Sequence, residues 1–412
     1  MKLKLFIFCI TVSFFALPLF AQNTNCVGCH NTVTPNIVTD WELSKHKVNF
    51  IGCESCHGEK HNSASNVNLV NIPTPETCAQ CHEERVNQFK KGKHAFAWAS
   101  MNAMPTTHYQ PMILTEGMKG CGGCHKIGLK NENDMKSLKK EGQTTFGIAS
   151  CDACHTRHLF SREEAKQPQA CMTCHMGFDH PQWEMYSSSK HGVRYDLKQK
   201  NILAPTAAAP TCQTCHMQEG NHEVRTAWGF LAVRLPMPED KQWTDDRVTI
   251  LMALGVLDPT GNPTPRLDVV KAADVARLTQ ESWQTERDKM LKTCKKCHSG
   301  DFAGRELQKG DNIIKDADHL MAEAIRIIVE LYKDGIIPKP KDSKFGYPDL
   351  LTFHDAATTI EQKLFKMFLE HRMRTFQGTF HASPDYALWY GWSEMVQDLA
   401  EIKFLASEMR KK

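Results

Sequence analysis

The strongest constraint on the fold of this chain is one short pattern, Cys-x-x-Cys-His, which occurs eight times in 412 residues. The eight copies use 16 of the 17 cysteines. Two thiols followed directly by a histidine form the attachment pattern of c-type haem, in which the thiols bond the vinyl groups and the histidine becomes the proximal iron ligand. The motifs are Cys26, Cys29 and His30; Cys53, Cys56 and His57; Cys78, Cys81 and His82; Cys121, Cys124 and His125; Cys151, Cys154 and His155; Cys171, Cys174 and His175; Cys212, Cys215 and His216; and Cys294, Cys297 and His298.

Two other uses of paired cysteines fit this sequence less well. Disulfides are the default in an exported chain, but they do not need a histidine after every second cysteine. Zinc sites also use Cys-x-x-Cys pairs without that requirement. The sequence therefore predicts eight covalently bound c-type haems, which supply apolar area in place of an ordinary side-chain core.

The spacing of the motifs divides the chain into a haem-dense part and a helical part. Residues 22–230 hold seven motifs, and residues 231–412 hold the eighth motif and three long patterns of apolar residues at helical spacing. Those patterns lie at 313–335, 354–378 and 384–412. We expect a mainly α multihaem cytochrome c with a haem-packed N-terminal part and long C-terminal helices, some of them at a subunit interface.

The N-terminus predicts export. Lys2 and Lys4 precede an apolar run from Leu5 to Phe20, and Ala21 ends the run before a polar stretch. This arrangement is typical of a signal peptide, residues 1–21, cleaved after Ala21, which would place the mature chain in the periplasm; an uncleaved anchor is the alternative. The formal charge of +3 gives no reason to expect a nucleic-acid partner.

Twelve histidines lie outside the motifs and are candidates for the second axial position, as are methionines. His46, His94 and His191 share an upstream aromatic residue and a lysine directly before the histidine. His158 and His222 follow a motif histidine too closely to reach the far face of the same haem, so each should serve another haem. Among the histidines of the C-terminal helices we expect one ligand. The expected distal ligands are His46, His61, His94, His108, His158, His191, His222 and His354.

Asp179 and His180 stand between the sixth motif and Pro181. His180 lies five residues from the motif histidine His175. It is therefore too close in the chain to reach the far face of the same haem, and it should serve a different haem or none. Pro181 favours an extended residue 180, and a carboxylate beside a histidine raises the histidine pKa toward working pH. Neighbours on an extended stretch point to opposite sides, however, so the two need not pair. His180 is either a further haem ligand or a proton-handling group, and we favour the second.

The order of the eight motifs and the runs "CDACHTRHLFS", "DHPQWEMYSSSKHG" and "FQGTFHASPDYALWYGW" resemble the octahaem hydroxylamine oxidoreductase family over nearly all of the mature chain. The "DHPQWE" run is also similar to one in pentahaem cytochrome c nitrite reductases. The resemblance implies that the fourth haem, held by His125, is catalytic with an open distal site, and that the other haems have two histidine ligands. It further implies that Asp179 and His180 line the open site, that His191 serves another haem, and that the protein is a homotrimer.

The resemblance leaves the direction of catalysis open. Oxidative members of the family carry a tyrosine of a neighbouring subunit joined covalently to the catalytic haem, whereas reductive members lack it. Tyr386 and Tyr390 lie in the corresponding part of this chain. Oxidative members also place a tyrosine in the distal pocket after the seventh motif, and this chain has none between Tyr195 and Tyr332.

Three functional hypotheses follow. The first is an oxidoreductase that oxidises hydroxylamine at the fourth haem, with His180 and Asp179 as general acid and base and a cytochrome or quinone-linked protein as redox partner. The second runs the same site reductively on nitrite or hydroxylamine. The third is an electron-transfer protein in which every haem has two ligands. A sulfur-compound reductase is disfavoured, since such relatives commonly replace the catalytic proximal histidine by lysine and all eight motifs here end in histidine.

Overall fold

The computed structural model describes residues 24–103, 122–142, 144, 147–148, 150–177, 180–229, 240–272, 279–339, 346–351 and 356–411. The chain forms two compact units. The first unit comprises Met1–Ile72 and Arg157–Ser161, and the second comprises Pro73–Thr156 and Arg162–Lys412. The domain boundary expected near residue 230 stays a prediction.

Short helices make up the first unit. Ser44 caps one of them, because its hydroxyl oxygen accepts a hydrogen bond from the Lys47 N–H at 3.2 Å. This cap places His46 in the first turn of a defined helix rather than in a loop. The helices are Thr24–Val33, Pro35–Leu43, Lys45–Val48 and Glu54–His57, followed by the 3₁₀ turn Ala64–Leu69.

Helices also make up the second unit. Its α-helices are Pro75–Lys91, Ala97–Ala103, Gly122–His125, Glu132–Lys140, Arg162–Ala165, Gln169–Met172, Gln182–Ser188, Lys190–Gln199, Cys212–His216, Lys241–Ala253, Arg266–Ala272, Gln280–Cys294, Gly300–Lys333, Thr359–Lys366, Met373–Phe380 and Glu394–Arg410. Its 3₁₀ turns are Lys93–Phe96, Cys151–Ala153 and Gln218–Gly220, and its π-helical segments are Met367–Arg372 and Asp385–Ser393.

The predicted mainly α fold is confirmed. Across the described parts of both units the one sheet-like contact is an isolated bridge between Leu257 and Pro263. No helix among the described residues combines the length and the apolar content that crossing a membrane requires.

Several motifs form a single helical turn that ends at the motif histidine. Gly122–His125 and Cys212–His216 are two examples. The second begins after Thr211, whose N–H donates to the Thr214 hydroxyl oxygen at 3.0 Å. In a helical turn, residues three and four positions apart share one face. The second thiol and the imidazole of each motif therefore project to the same side as the first thiol, toward one porphyrin.

The apolar core of the second unit lies among its C-terminal helices. The long helix Gly300–Lys333 has a face whose members Met321, Ile325, Ile328 and Leu331 are all 0% exposed. Burying each such side chain stabilises the fold by about 1.5–3 kcal/mol before the entropy cost is subtracted. This helix packs against Lys241–Ala253 and Glu394–Arg410.

The long helix begins earlier than the apolar pattern from residue 313 predicted. The hydroxyl oxygen of Ser299 accepts a hydrogen bond from the Phe302 N–H at 3.3 Å and caps it. The first turns, Gly300 to Asn312, are largely polar, so they carry no strong helical periodicity. The sequence signal that was missed is the cap: a serine with an aspartate two residues later, in the first turn of the helix.

Two glycines permit the close crossing of the last helices. A side chain at Gly391 would place its Cβ 2.6 Å from the Thr375 backbone nitrogen, and one at Gly378 would lie 2.6 Å from the Ala387 nitrogen. These distances are shorter than real contacts allow. The run "FQGTFHASPDYALWYGW" therefore folds back on itself tightly, which fixes the position of His381 between the two segments.

A buried charge cluster ties the core together. The Asp318 carboxylate accepts hydrogen bonds from Arg372 Nε at 3.0 Å and Nη2 at 2.6 Å, and from Trp243 Nε1 at 2.9 Å. Arg247 Nη1 lies 3.7 Å from the same carboxylate. Both Asp318 and Arg372 are at most 1% exposed. Such a cluster is costly to desolvate, but removing one member leaves the others as uncompensated buried charges.

We predict that Asp318→Ala lowers the free energy of unfolding by about 3–5 kcal/mol, because it leaves two buried guanidinium groups without their carboxylate. Asp316→Ala on the exposed side of the same helix is the matched control, with an expected effect below about 0.5 kcal/mol. Guanidinium chloride unfolding of the haem-loaded protein, followed by far-ultraviolet circular dichroism, measures both. Equal effects of the two substitutions would contradict a structural role of the cluster.

Candidate haem sites

Six motif histidines each face the ring of a histidine outside the motifs at nearly constant distance, and the two members of each pair lie in the same unit. His175 has a second such neighbour, His180, at 5.9 Å. The ring-centre distances are 6.2 Å for His30 and His61, 6.1 Å for His57 and His158, 6.0 Å for His94 and His175, 6.3 Å for His155 and His222, 6.2 Å for His191 and His298, and 6.2 Å for His216 and His381.

This spacing is the one that an iron with two axial imidazoles requires. A ligating imidazole nitrogen lies about 2.0–2.1 Å from its metal. Two imidazoles bound from opposite sides therefore have ring centres roughly 6 Å apart. Direct ring stacking would bring the centres closer. The residues present thus fit a haem iron between the rings of each pair.

The ring orientations support the same interpretation. A ligating histidine normally donates its second ring N–H to an oxygen, which fixes the ring and leaves the other nitrogen for the metal. Nδ1 of His57 donates to the Asn71 carbonyl at 3.1 Å, and Nδ1 of His381 donates to the Gln377 carbonyl at 2.7 Å. Further Nδ1 anchors are Thr34 for His30, Asn66 for His61, Gln182 for His175 and Gly220 for His222.

Burial keeps several of these imidazoles in the neutral form that binds metal. Burial, followed by the neighbouring His94 and His180, lowers the pKa of His175 to about 3. Burial and the nearby His381 lower the pKa of His216 to about 4. In the first unit, burial and His57 lower the pKa of His158 to about 4. A neutral imidazole needs no proton release before it coordinates iron.

The structure places His158 and His222 opposite motif histidines other than the ones they follow. His158 comes three residues after His155 but faces His57, and His222 comes six residues after His216 but faces His155. This arrangement agrees with the expectation that each histidine follows a motif histidine too closely to bind the far face of the same haem. Within the second unit, the pairing of His222 with His155 brings the segment after the seventh motif close to the fifth motif.

One described histidine of the C-terminal helices faces a motif histidine and was not among the expected ligands. The structure pairs His216 of the seventh motif with His381, while the expected role of His354 stays a prediction. His381 ends helix Met373–Phe380 within the glycine-dependent fold-back, and no local pattern marks it. The other C-terminal histidines of the described chain bond carboxylates instead, His319 with Asp246 at 2.9 Å and His371 with Asp398 at 2.5 Å.

Other predicted site residues have less defined surroundings. His46 lies edge-on to Phe160 with ring centres 5.1 Å apart. His82 of the third motif is exposed. The ligand roles of both stay predictions. Four further residues, Cys121, His108, Asp179 and His354, lie outside the described residues.

Nδ1 of His125 in the fourth motif donates to the Ala97 carbonyl at 2.8 Å, and the Ser100 hydroxyl lies 3.3 Å from the same nitrogen. Ala97–Ala103 begins directly after the 3₁₀ turn that carries His94. One short stretch therefore anchors the ring of the fourth motif and supplies the partner of the sixth.

Contacts between cysteines show which motifs are neighbours. The sulfur atoms of Cys124 and Cys174 lie close enough to interact, which makes the fourth motif a neighbour of the sixth. Equivalent contacts join Cys78 to Cys151 and Cys171 to Cys212. Cys154 lies within electrostatic range of Cys171 and Cys174, as Cys215 does of Cys294 and Cys297. The sixth motif thus adjoins the fourth, the fifth and the seventh, and the seventh adjoins the eighth.

His180 lies at the junction of the fourth and sixth motifs. Its ring centre is 5.9 Å from that of His175, at an interplanar angle of 69°. Its ring lies within electrostatic range of the Cys174 sulfur, which in turn lies next to that of Cys124. The His180 carbonyl accepts a hydrogen bond from the Gln182 N–H at 2.8 Å, which closes the turn at Pro181.

Gln182 holds this turn in place from both sides. Its side-chain oxygen accepts from His175 Nδ1 at 3.1 Å, and its amide nitrogen donates to Gln377 Oε1 at 2.8 Å. The carboxylate of Glu184 adds a third tie, because it accepts from the Gly177 N–H at 3.0 Å. The segment that carries His180 is therefore fixed relative to the sixth motif and the C-terminal helices.

Comparison with known proteins identifies a family. Residues 49–250 and 266–344 match the family model described as "seven times multi-haem cytochrome CxxCH", and residues 16–58 match that of cytochrome c554 and c-prime. A probable nitrite reductase–hydroxylamine oxidoreductase fusion protein of Kuenenia stuttgartiensis is 26% identical over 94% of this chain and 51% of its own. The C-type polyheme cytochrome OmcB of Geobacter sulfurreducens is 24% identical over 36% of this chain and 19% of its own. The chain thus spans about half the length, or less, of these curated relatives.

Two solved structures share the fold. One belongs to a reducing hydroxylamine oxidoreductase-like protein complex of Kuenenia stuttgartiensis, with a TM-score of 0.62, 23% identity, and coverage of 94% of this chain and 85% of that chain. The other is a multihaem protein described as hypothetical, with a TM-score of 0.67, 20% identity, and coverage of 94% and 95%. The resemblance predicted from the sequence is confirmed. Since the family model covers more than half of the residues, the chain belongs to the multihaem cytochromes c and binds c-type haem covalently through its Cys-x-x-Cys-His motifs.

Proposed function

We propose that this chain is a periplasmic octahaem oxidoreductase of small nitrogen compounds, with hydroxylamine oxidation as its first candidate activity. Each of the eight motifs attaches one haem. The fourth haem keeps one axial position open for substrate, and the other seven have two histidine ligands. The observation that carries the proposal is the position of His180 at the junction of the fourth and sixth motifs.

The ligand count supports a role for His180 other than iron ligation. Its neighbour His175 already faces His94 at 6.0 Å, and both residues are partly buried. One iron between those two rings has both axial positions filled. His180 also neighbours Cys174, which lies next to Cys124 of the fourth motif, and we infer that its imidazole reaches a substrate on the fourth haem.

The fourth haem, when bound, supplies an iron that takes up the nitrogen compound and exchanges electrons with it. This chain's own residues supply the proton chemistry. The His180 imidazole gives or takes a proton at a substrate atom, and Asp179 is its candidate partner. Pro181 and the Gln182 hydrogen bonds hold the imidazole in place, so little reorganisation is needed during the reaction.

Reduction of nitrite or hydroxylamine is the second candidate. It is favoured by the lack of any tyrosine between Tyr195 and Tyr332, where oxidative members place one in the distal pocket. Two similar proteins also carry names that refer to reduction. Mass spectrometry of the denatured protein for a tyrosine–haem crosslink between chains separates the candidates. A crosslink through Tyr386 or Tyr390 favours oxidation, and its absence favours reduction.

Self-association through the C-terminal helices is part of the proposal. The π-helical segment Asp385–Ser393 exposes Leu388 (47%), Trp389 (64%), Tyr390 (52%) and Trp392 (39%). Large contiguous apolar patches of this kind mark protein interfaces, and aromatic residues dominate their energetics. We propose a homotrimer, which sedimentation velocity of the haem-loaded protein would test; a monomer at micromolar concentration would contradict it. The electron partner proposed for the trimer is a cytochrome or quinone-linked protein.

We predict that His180→Ala lowers turnover of hydroxylamine and nitrite by about 10²- to 10⁴-fold, the usual contribution of a positioned acid–base group. Haem content and the low-spin absorption spectrum should be unchanged, and carbon monoxide should still bind the dithionite-reduced protein. A new high-spin haem in the variant would instead identify His180 as an iron ligand. A wild-type protein whose spectrum does not respond to carbon monoxide would favour the electron-transfer alternative.

We predict that His381→Ala converts one haem per chain from low spin to high spin, because the seventh haem loses its distal imidazole. Electron paramagnetic resonance of the oxidised protein measures the change. His319→Ala is the matched control, since His319 bonds the Asp246 carboxylate and, among the described residues, faces no motif histidine at the pair distance. An unchanged spectrum for the first variant would remove His381 from the ligand set.

A further inference from the structure

The eighth motif lies at an exposed and basic part of the second unit. Cys297 and His298 are both exposed. Four lysines associated with this haem site are exposed as well: Lys292 precedes the motif, Lys295 and Lys296 lie within it, and Lys190 directly precedes His191, whose ring faces that of His298. We call these four lysines the lysine rim.

The charge of the lysine rim is not neutralised within the protein. In the described part of the chain none of the four lysines forms an ion pair. Nearby lysines do, for example Lys289 with Glu286 at 2.8 Å and Lys309 with Glu306 at 2.6 Å. Asp301, in the first turn of the long helix, offsets part of the positive charge. The four lysines outnumber this one aspartate.

The centre of this surface is apolar. The Phe302 ring lies 5.0 Å from the His298 ring and is 44% exposed. Val193, two residues after His191, is 38% exposed. An apolar centre with a charged border is the usual composition of a transient protein-docking surface, since the border steers the encounter and the centre supplies contact area.

We propose that the eighth haem exchanges electrons with a small acidic electron-carrier protein that docks on the lysine rim. The proposal goes beyond the proposed function and rests on His191 and His298 as ligands of one iron. The third motif is exposed too, at Cys81 and His82, but Glu83 and Glu84 follow it directly. An acidic partner is attracted to positive charge. Of these two exposed motifs, the eighth has lysines beside it, whereas the third has glutamates.

A flavodoxin, which is a small acidic flavoprotein, serves as the probe. Its anionic hydroquinone gives up one electron and becomes the neutral semiquinone, while one ferric haem iron of the cytochrome becomes ferrous. Stopped-flow absorbance follows this reaction without any nitrogen substrate, so its outcome does not depend on the proposed catalytic activity.

The triple variant Lys292→Glu, Lys295→Glu, Lys296→Glu should lower the second-order rate constant at low ionic strength by at least about tenfold, and should remove most of its dependence on salt. The matched control is Lys136→Glu, Lys139→Glu, Lys140→Glu on helix Glu132–Lys140, which makes the same charge change and should keep at least half of the wild-type rate. Haem content and the extent of reduction by dithionite should be equal in all three proteins.

Two results would overturn the proposal. The first is an equal loss of rate in both triple variants, which would reflect net charge alone. The second is an unchanged flavodoxin rate in the Lys292 triple variant. If that variant also loses binding to vesicles containing anionic phosphatidylglycerol, the lysine rim is a membrane contact rather than a docking site for a carrier.

Discussion

If each histidine pair binds one haem iron, its two imidazoles form a cross-link between segments that are distant in the chain, and we expect the second unit to depend on these links. His191 and His298 join helix Lys190–Gln199 to the turn that precedes the long helix. His216 and His381 join the seventh motif to the end of helix Met373–Phe380. Ordering such segments costs about 1–2 kcal/mol per residue in backbone entropy. Metal–ligand bonds offset this cost when the cofactor is in place, so haem attachment and folding are coupled.

The sequence predicts the proximal half of each haem site because that half is local. Two thiols and an imidazole on one helical turn need no information from the rest of the chain. The distal half is different, since it depends on which segments meet. For His158 and His222 the short tether to a motif histidine still limits the choice to another haem. For His381 no such restriction exists, and its position follows from Gly378 and from backbone contacts that sequence reading does not supply.

The C-terminal helices show the same division between local and non-local information. Their apolar periodicity predicts the core, because the long helix must bury the face that contains Met321 and Ile325. Periodicity does not predict the π-helical segments, where the register of the helix shifts, nor the polar first turns that a serine cap adds to the long helix. These features follow from caps and close crossings, which depend on single residues such as Ser299 and Gly391.

The segment after the sixth motif explains why one open site can need so many haems. On the proposed assignment, the haem attached through Cys174 lies next to the fourth motif, and His180 lies in the segment that directly follows the sixth motif. In the proposed site, His180 would move protons, while the haem held by the sixth motif would supply a route for electrons. Gln182 would fix the relative positions of these two groups, because it bonds His175 and Gln377. The sixth motif also adjoins the fifth and the seventh, so haems held there would give neighbouring sites for several electrons.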